Sequence, residues 1–283
     1  MPSREELTAV FQDTRQLYET DPVLMEAIRA SIAGTALYPE GETPPLPTRR
    51  PWKETRVTVS GARSLEAALR LLEEEPDRRV AVHNFASATN PGGGVTRGSS
   101  AQEECLCRCS TLYPVLTGAP GLWENFYAMH RARRDARYTD ACIYSPDIVV
   151  VKSDEALPQR LPPQQRRRVD VLTCAAPNLR PVPYQPMNPG SGHSGLRLTV
   201  EELRNLHKKR ARHMLSVAAR HGAAALVLGA FGCGAFQNDP GVVARAWRDM
   251  VEEFDGWFEE IVFAVYCPPG GSRNYDEFRR VMR

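Results

Sequence analysis

Residues 79–104 read RVAVHNFASATNPGGGVTRGSSAQEE and contain the pattern that decides the fold. The apolar run over 79–86 predicts a buried strand that leads straight into three consecutive glycines. From Gln102 onward the sequence is typical of a helix. A strand, a glycine loop and a helix in this order indicate an α/β unit, in which ligands bind where the strands end. The stretch also places two adjacent carboxylates, Glu103 and Glu104, shortly after the most flexible backbone in the chain.

Strands and helices alternate through the rest of the body. Strands are predicted at 56–60, 79–86, 142–145, 147–152, 168–176, 224–230 and 260–267, and helices at 65–75, 200–221, 241–254 and 274–282. We expect Ser64 to cap the first of these helices and a Ser-Pro turn to separate the third and fourth strands. Thr199 and Glu202 match a capping box, and Gly222 marks the end of that helix. Continuous apolar strands between helices predict an α/β fold: a three-layer α/β/α domain with a parallel or mixed central sheet.

The N-terminal part differs in composition from this body. Helices are predicted over 4–20 and 23–33, because apolar residues recur there at helical spacing. The segment 34–52 is rich in proline and is expected to form neither helix nor strand. We therefore divide the chain into an N-terminal helical and proline-rich extension (1–55) and a catalytic body (56–283).

Composition limits the kinds of partner. The chain has 283 residues, 42% of them hydrophobic and 25% charged, which is ordinary for a soluble globular protein. A net charge of +2 gives no field for sequence-independent polyanion binding, and the basic runs at 131–137, 166–168 and 208–212 are expected to be solvated surface. The first residues lack a secretory pattern and no apolar run could span a membrane, so we expect a cytoplasmic protein with no membrane partner.

The seven cysteines suggest neither a disulfide framework nor a metal site. Their number is odd and their spacing irregular, which favours a reducing compartment. In CLCRC, Cys105 and Cys109 share one face of a helix while Cys107 points elsewhere, which is poor geometry for tetrahedral zinc. We therefore expect no metal.

A second glycine loop, GAFGCGAFQNDP (229–240), also follows a buried strand and precedes a helix. Neither loop matches a Walker A sequence or the G-x-G-x-x-G dinucleotide fingerprint. Taken alone, either loop could be a structural turn. Two such loops at one edge of a sheet favour a phosphorylated ligand, most simply a diphosphate, because glycine N–H groups and helix N-termini suit anions.

The carboxylate pair has two possible roles. Glutamates in a first helical turn interact favourably with the helix dipole, so capping alone could explain them. Beside a bound diphosphate, however, a glutamate has a raised pKa and can protonate a leaving oxygen. Neighbouring helical residues point about 100° apart, so Glu103 and Glu104 are not expected to flank one bond as in most glycosidases. One should transfer the proton while the other holds sugar hydroxyls.

These motifs resemble a known family. Gly92-Gly93-Gly94, a seven-residue spacer and Gln102-Glu103-Glu104 resemble the GGG-x(6–8)-QEE catalytic loop of poly(ADP-ribose) glycohydrolases, and the chain resembles their compact bacterial type. The segments NFASATNPGGG, CAAPN and LVLGAFGCGAFQNDP extend the similarity over roughly residues 56 to 283. The resemblance implies a macrodomain fold, no cofactor, a role in the DNA damage response, and hydrolysis of the α(1→2) ribose–ribose bonds of poly(ADP-ribose) to release ADP-ribose.

The resemblance also implies roles for individual residues. Glu104 corresponds to the catalytic acid, which later acts as the base, and Glu103 corresponds to the residue that binds hydroxyls of the ribose being released. Substrate contacts are expected from Asn84, Ser87, Asn90, Gly92, Gly93, Gly94, Val95 and Gln102, and in the second loop from Gly229, Gly232, Cys233 (through its N–H), Gly234, Ala235 and Phe236. Ordinary macrodomains often have Asn-Ala-Ala-Asn where this chain has Asn-Phe-Ala-Ser, so Asn90 is expected to share the role of Ser87. Phe231 could belong to the site or to the core.

Other functions fit parts of the pattern. A hydrolase of mono-ADP-ribose on protein or DNA could use the same pocket, because only the leaving group differs. A non-catalytic ADP-ribose reader would keep the glycines but has no use for two glutamates. A nicotinamide-dependent dehydrogenase lacks the fingerprint spacing. The expected partners are therefore poly(ADP-ribose) or ADP-ribosylated macromolecules, with no sequence-specific nucleic-acid binding.

Overall fold

A single mixed sheet organises the protein. The structure is a computed structural model that describes residues 2–185 and 190–283. In that part of the chain seven strands lie in the order β1-β4-β5-β3-β6-β7-β2. Their bounds are β1 Ala36–Tyr38, β2 Arg56–Ser60, β3 Val80–Phe85, β4 Cys142–Val150, β5 Arg167–Cys174, β6 Ala225–Leu228 and β7 Glu260–Ala264. The strands β5, β3, β6, β7 and β2 run parallel to one another, whereas β4 is antiparallel to both β1 and β5.

Helices cover both faces of the sheet. They are α1 Arg4–Thr20, α2 Pro22–Gly34, α3 Ser64–Glu74, α4 Gln102–Cys109, α5 Leu112–Gly118, α6 Met129–Arg133, α7 Val200–Arg220, α8 Pro240–Glu253 and α9 Arg273–Val281. A π-helix, Trp123–Ala128, runs directly into α6.

The alternation of side chains along β3 shows how the sheet separates two cores. Val80 and Val82 are buried in a cluster with residues of α3, α4 and α5. Ala81 points to the opposite face, where it packs with residues of α7, α8 and α9. Side chains of a strand alternate between faces, so these two clusters establish the predicted three-layer α/β/α arrangement.

The topology brings the two glycine loops together. β3 and β6 are hydrogen-bonded neighbours, with Val82 opposite Val227, and they run in the same direction. The loops that follow them therefore leave the same edge of the sheet. β5 is parallel to β3, and β7 is parallel to β6. The ends of β5 and β7 therefore lie at this edge too.

The proline-rich segment departs from expectation at one point. Residues 36–38 form β1, which pairs with β4 over Ala36 to Tyr38. The expectation of no strand was wrong here, because a three-residue edge strand owes its existence to a tertiary partner rather than to local sequence.

Two further local predictions need correction. Cys142–Val150 is one strand, since the Ser-Pro step forms a β-bulge between Ser145 and Ile148 rather than a turn; bulges are among the few places where a sheet accepts proline. The N-cap of α3 is Arg63 and not Ser64. The cap function is taken by Asp154, whose carboxylate accepts the N–H of Leu65 at 2.8 Å.

The N-terminal helices pack against the body. Lys152, which is buried, pairs with Asp13 at 2.8 Å, and the Thr14 hydroxyl donates to the carbonyl of Arg108 in α4 at 2.6 Å. The division at residue 55 stays a prediction. The basic run 208–212 is not all solvated surface, because Arg210 is buried and donates to the carbonyl of Ala175.

Other expectations fare differently. The helices α1, α2, α4, α7, α8 and α9 are confirmed, including the Thr199–Glu202 capping box. The helices between 112 and 133 were not predicted. The sequence of residues 177–198 is rich in proline and glycine, which predicts a loop, and residues 186–189 of this segment lie outside the described residues. All seven cysteines are free thiols. Within the described ranges no helix is both long and apolar enough to cross a membrane.

Candidate active site

A cleft of about 620 Å³ opens at the edge of the sheet where the two glycine loops meet. Among the residues predicted for the site, it is lined by Ser87, Gly93, Gln102, Glu103, Glu104, Gly232, Gly234, Ala235 and Phe236. Two glycine loops, the start of α4 and the segment after β5 thus contribute to one cavity, as the sequence predicts.

Glu104 reaches the cleft with one oxygen fixed and the other unpartnered. Its side chain is 7% exposed. Oε1 accepts the N–H of Gly94 at 2.8 Å, whereas Oε2 has no hydrogen-bond partner among the described residues. Burial raises the pKa of this carboxyl above its ordinary value of 4.5, and the Gly94 N–H opposes that effect. Burial therefore makes this carboxyl easier to protonate than an exposed glutamate, and Oε2 is its oxygen without a hydrogen bond among the described residues.

Glu103 is held still more firmly. Its Oε2 accepts the N–H of Ser87 at 2.7 Å and its Oε1 accepts the side-chain amide of Asn84 at 3.4 Å. Burial raises its pKa well above 4.5, the nearby Glu104 adds to the rise, and the hydrogen bond from Ser87 acts against it. Burial therefore makes both carboxyl groups easier to protonate than exposed glutamates, and the charge of Glu104 adds to this effect at Glu103.

Within the triple glycine, Gly93 allows the backbone to approach these carboxylates closely. An added Cβ on Gly93 would overlap Oε1 of Glu104 and lie 3.1 Å from Oε2 of Glu103. Gly92 and Gly93 also have φ of +69° and +57°, a region that side chains rarely adopt. The glycines thus let the backbone pass directly over both carboxyl groups.

The N–H groups of the first loop are used inside the protein. Gly93 donates to the carbonyl of Asn90 at 2.9 Å, Gly94 donates to Glu104, and Val95 donates to the carbonyl of Gly92 at 3.2 Å. The expected diphosphate cradle is therefore not built from these N–H groups. They hold the carboxyl group of Glu104 and the turn itself.

The second loop offers the free N–H groups instead. Among the described residues no hydrogen bond is donated by the N–H groups of Gly232, Gly234, Ala235 or Phe236. Gly234 also has open space where a Cβ would stand. Successive unpaired N–H groups in a turn form an anion-binding concavity, and this one lies across the cleft from the carboxylates.

Comparison with known proteins agrees with this geometry. Residues 5–153 match the model of the microbial-type PARG catalytic domain, PARG being poly(ADP-ribose) glycohydrolase. The solved poly(ADP-ribose) glycohydrolase of Thermomonospora curvata superposes with a TM-score of 0.83 at 34% identity, over 98% of this chain and 99% of that one. The chain belongs to the microbial-type poly(ADP-ribose) glycohydrolase family.

Solved complexes of this family are similar too. The Thermomonospora curvata enzyme bound to the inhibitor ADP-HPD gives a TM-score of 0.78 at 33% identity, over 98% of this chain and 99% of that one. The Deinococcus radiodurans poly(ADP-ribose) glycohydrolase in complex with ADP-ribose gives 0.72 at 35% identity, covering 90% and 96%. Comparison with curated protein sequences finds no match.

Several residues predicted to touch substrate instead brace the family's QEE triplet. Gln102 donates to the carbonyl of His83 at 2.7 Å and to Ser64 Oγ at 3.0 Å, and accepts the N–H of Phe85 at 2.9 Å. Asn90 donates its side-chain amide to the carbonyl of Gly93. These bonds tie α4 and the glycine loop to β3, so they position the carboxylates.

Asn84 likewise faces inward. It is fully buried, and its amide nitrogen donates to Thr173 at 3.2 Å as well as to Glu103. Its Oδ1 has no partner among the residues described. The predicted ribose contact is therefore replaced by support of Glu103.

Three other expectations are changed by the packing, and one open alternative is resolved. Val95 is a buried core residue. Phe231, which could belong to the site or to the core, is buried in the core and also lines the cleft. Gly229 lies outside the cleft lining, and a Cβ there would come 2.7 Å from the carbonyl of Ala264. The N–H of Cys233, expected to meet the ligand, donates to the carbonyl of Ala230 at 3.1 Å. Phe236 does line the cleft, as predicted.

The sequence analysis did not identify Asn238 as the residue whose hydrogen bonds hold the second loop in place. Asn238 is buried, and its amide donates to the carbonyls of Pro177, Gly232 and Phe236 at 2.8, 3.1 and 3.2 Å. Its Oδ1 lies 2.8 Å from Nε2 of His207. Burial lowers the pKa of His207 to about 4, so this ring is neutral near pH 7. The Asn-Asp-Pro sequence signalled only the cap of α8, which Asp239 provides.

The far walls of the cleft were missed as well. Tyr266, which follows β7, is 48% exposed, and the guanidinium of Arg63 lies 4.1 Å from the centre of its ring. Pro2, Arg4 and Leu7 from the N-terminal extension line another wall. No local pattern marks any of these residues, because only the folded chain brings them to the cleft.

Proposed function

We propose that this chain hydrolyses the ribose–ribose bonds of poly(ADP-ribose) with Glu104 as general acid and then general base. One observation carries the assignment: Glu104 lines the cleft with a buried carboxyl group whose Oε1 accepts the N–H of Gly94 and whose Oε2, itself buried, has no hydrogen-bond partner among the described residues. Such an oxygen can hold a proton and give it to a leaving group.

The first half of the reaction breaks the glycosidic bond. The substrate diphosphate accepts hydrogen bonds from N–H groups of the second loop, around Gly234, which places the last ribose beside the carboxylates. Oε2 of Glu104 gives its proton to the departing ribose oxygen while positive charge develops on the anomeric carbon. The nearby diphosphate stabilises that charge in a site shielded from water.

The second half adds water. Glu104 is now ionised and removes a proton from the attacking water, which returns the carboxyl to its starting state. Oε1 stays hydrogen-bonded to Gly94 through both steps, so the carboxyl need not rotate. Glu103 orients the ribose, because its firmly held carboxyl can accept hydrogen bonds from sugar hydroxyls.

The remaining half of ADP-ribose needs a site for its purine. Tyr266 offers an exposed aromatic ring in the cleft, and the guanidinium of Arg63, which also lines the cleft, lies over one face of that ring. Base–aromatic stacking contributes about 1–3 kcal/mol per base. We therefore place the adenine against Tyr266.

Glu104→Gln tests the function directly. Release of ADP-ribose from labelled polymer should fall by about 10²–10⁴ or more, the effect of losing a general acid/base. ADP-ribose affinity, measured by calorimetry, should persist, because Gln keeps the shape of the side chain. Undiminished turnover by this variant would refute the assignment.

The same assay separates the alternatives. Wild-type protein that acts on ADP-ribosylated protein or DNA but not on polymer would be a mono-ADP-ribosyl hydrolase, and binding without any hydrolysis would make it a reader. A cytoplasmic location and a role in the DNA damage response belong to this proposal as well, the former supported by the seven free thiols.

A further inference from the structure

Arg108 is a buried cation next to the catalytic carboxyl. It stands four residues after Glu104 on α4, where side chains at this spacing lie on the same helix face. The side chain is 1% exposed. Within the described ranges it forms no ion pair. A buried charge without a carboxylate partner costs stability, so its retention calls for a reason.

The guanidinium is fixed in place by neutral groups. Nη1 donates to the carbonyl of Ser99 and Nη2 donates to Sγ of Cys105 at 3.3 Å. Nε has no partner among the described residues. The carbonyl of Arg108 accepts the hydroxyl of Thr14 from α1, which anchors this end of α4. The charge therefore cannot swing toward solvent and is not neutralised locally.

We propose that Arg108 is a positioning residue whose fixed positive charge allows Glu104 to ionise after the first half of the reaction and serve as the base. The inference rests on the proposed function, since it concerns the second role of the same carboxyl. Arg108 does not line the cleft, so it acts through the electrostatic field rather than by touching substrate.

The need for such a charge follows from the chemistry. A carboxyl that serves as acid and then as base works best with a pKa near the operating pH. Burial raises the pKa of Glu104, and a bound diphosphate would raise it further. A carboxyl that stayed protonated could not accept a proton from water. Arg108 opposes both effects and is among the groups that lower the pKa of Glu104.

Other ionisable groups surround the pair. They are Arg4 of α1, Arg63 before α3, Asp154 after β4 and Arg180 in the cleft, with Glu103, Cys105, Cys107 and Tyr127 on or behind α4. Asp154 is committed to the N-terminus of α3. The three arginines are cleft-lining groups that can turn toward solvent or ligand, whereas Arg108 is buried in a fixed direction on the helix of Glu104.

The test compares Arg108→Met with Arg108→Lys. For each variant, polymer hydrolysis and ADP-ribose affinity are measured across pH. Hydrolysis is expected to fall as rising pH ionises Glu104. Loss of the positive charge should move the midpoint of that fall to higher pH, because an opposite charge favours the ionised form of a carboxyl, and should lower kcat. Arg108→Lys should keep the midpoint near that of wild type. ADP-ribose affinity, which weakens when Glu104 ionises, should show the same upward shift.

Lys152→Met is the matched control. Lys152 is equally buried and also anchors α1, through Asp13 and the carbonyl of Val10, but it is not among the groups that shift the pKa of Glu104. This variant should lose stability without moving either midpoint.

The outcomes are distinct. If Arg108→Met is folded and active and its pH midpoints for hydrolysis and for ADP-ribose affinity equal those of wild type, the inference is overturned. Arg108 would then be a structural residue. If Arg108→Met does not fold, Arg108→Gln compared with Arg108→Lys decides by the same criterion. Wild-type protein without polymer hydrolysis would refute the proposed function instead, and the affinity profile would still report on Arg108.

Discussion

Gly93 lies against Glu104 so closely that no side chain fits between the backbone of the loop and the carboxyl group. A Cβ on Gly93 would overlap Oε1, the oxygen that also accepts the N–H of Gly94. The glycine run is therefore explained by packing against the acid. The first loop donates the N–H of Gly94 to a carboxylate of the protein. The second loop has N–H groups without a partner among the described residues, and we expect these to bind an anionic ligand.

Gly93→Ala should displace the acid. The new methyl group must push Glu104 aside, and a displacement of about 1 Å in a catalytic group can cost 10²-fold in rate. We expect kcat for polymer hydrolysis to fall by about 10²-fold or more, with some loss of stability because φ is +57°. Steady-state kinetics and thermal unfolding measure the two effects. Gly270→Ala, where a Cβ meets nothing, should behave as wild type, and unchanged kcat in Gly93→Ala would contradict this account.

Gly234→Ala should affect the ligand rather than the fold. A Cβ at Gly234 meets no protein atom and φ is not left-handed, but the position lines the cleft. We expect thermal stability to stay unchanged and the Kd for ADP-ribose to rise about tenfold, equivalent to ~1.4 kcal/mol. Isothermal titration calorimetry checks this value. Unaltered affinity would mean that the second loop does not approach the diphosphate.

The architecture could be read from the sequence because the central parallel strands are buried on both faces. The run at residues 224–230 is then continuously apolar and the run at 79–86 is mostly apolar, and the helices between them carry their own caps, as Thr199 and Glu202 do. The alternation of these patterns leaves few topologies, and it places both glycine loops at one edge. Residue type and order were therefore sufficient for the fold, whereas the choice of Glu104 as the acid came from the resemblance to a known family and stays a prediction.

The roles of individual polar residues could not be read in the same way. Asn84, Asn90 and Gln102 were assigned to the ligand, yet their side chains bind Glu103, the carbonyl of Gly93 and the backbone of β3. A side-chain amide can form hydrogen bonds to a sugar hydroxyl or to a neighbouring backbone group equally well. Only the folded structure shows which of these partners it has. Tyr266 was missed for a related reason, since an aromatic residue after a strand has no local pattern that distinguishes a wall of the cleft from core.

Tyr266→Ala should weaken adenosine binding. Removal of the exposed ring eliminates a stacking surface worth about 1–3 kcal/mol per base, so the Kd for ADP-ribose should rise between about fivefold and 100-fold. Tyr266→Phe keeps the ring and should bind almost as wild type. Calorimetric titration with ADP-ribose and with ribose 5-phosphate, which lacks the base, provides the comparison. An equal loss for both ligands would place the adenine elsewhere.

Glu104→Gln should stabilise the protein at neutral and alkaline pH while it removes activity. The pKa of this carboxyl is raised by burial above its ordinary 4.5, so the folded state binds the proton more tightly than the unfolded state does. A group of this kind favours folding fully below about pH 4.5 and loses that contribution as pH rises through its folded pKa. Wild type therefore carries an unfavourable buried charge at high pH, and the amide does not.

Calorimetric unfolding across pH measures this difference. We expect the Tm of Glu104→Gln to exceed that of wild type by a few degrees at about pH 8, on the order of 1 kcal/mol for a chain of this size. The gap should close as pH approaches about 4.5, where the wild-type carboxyl is protonated in both states. Glu42→Gln alters an exposed carboxylate and should show no such dependence. A Tm gap that stayed constant across pH would show that burial does not oppose the ionisation of Glu104.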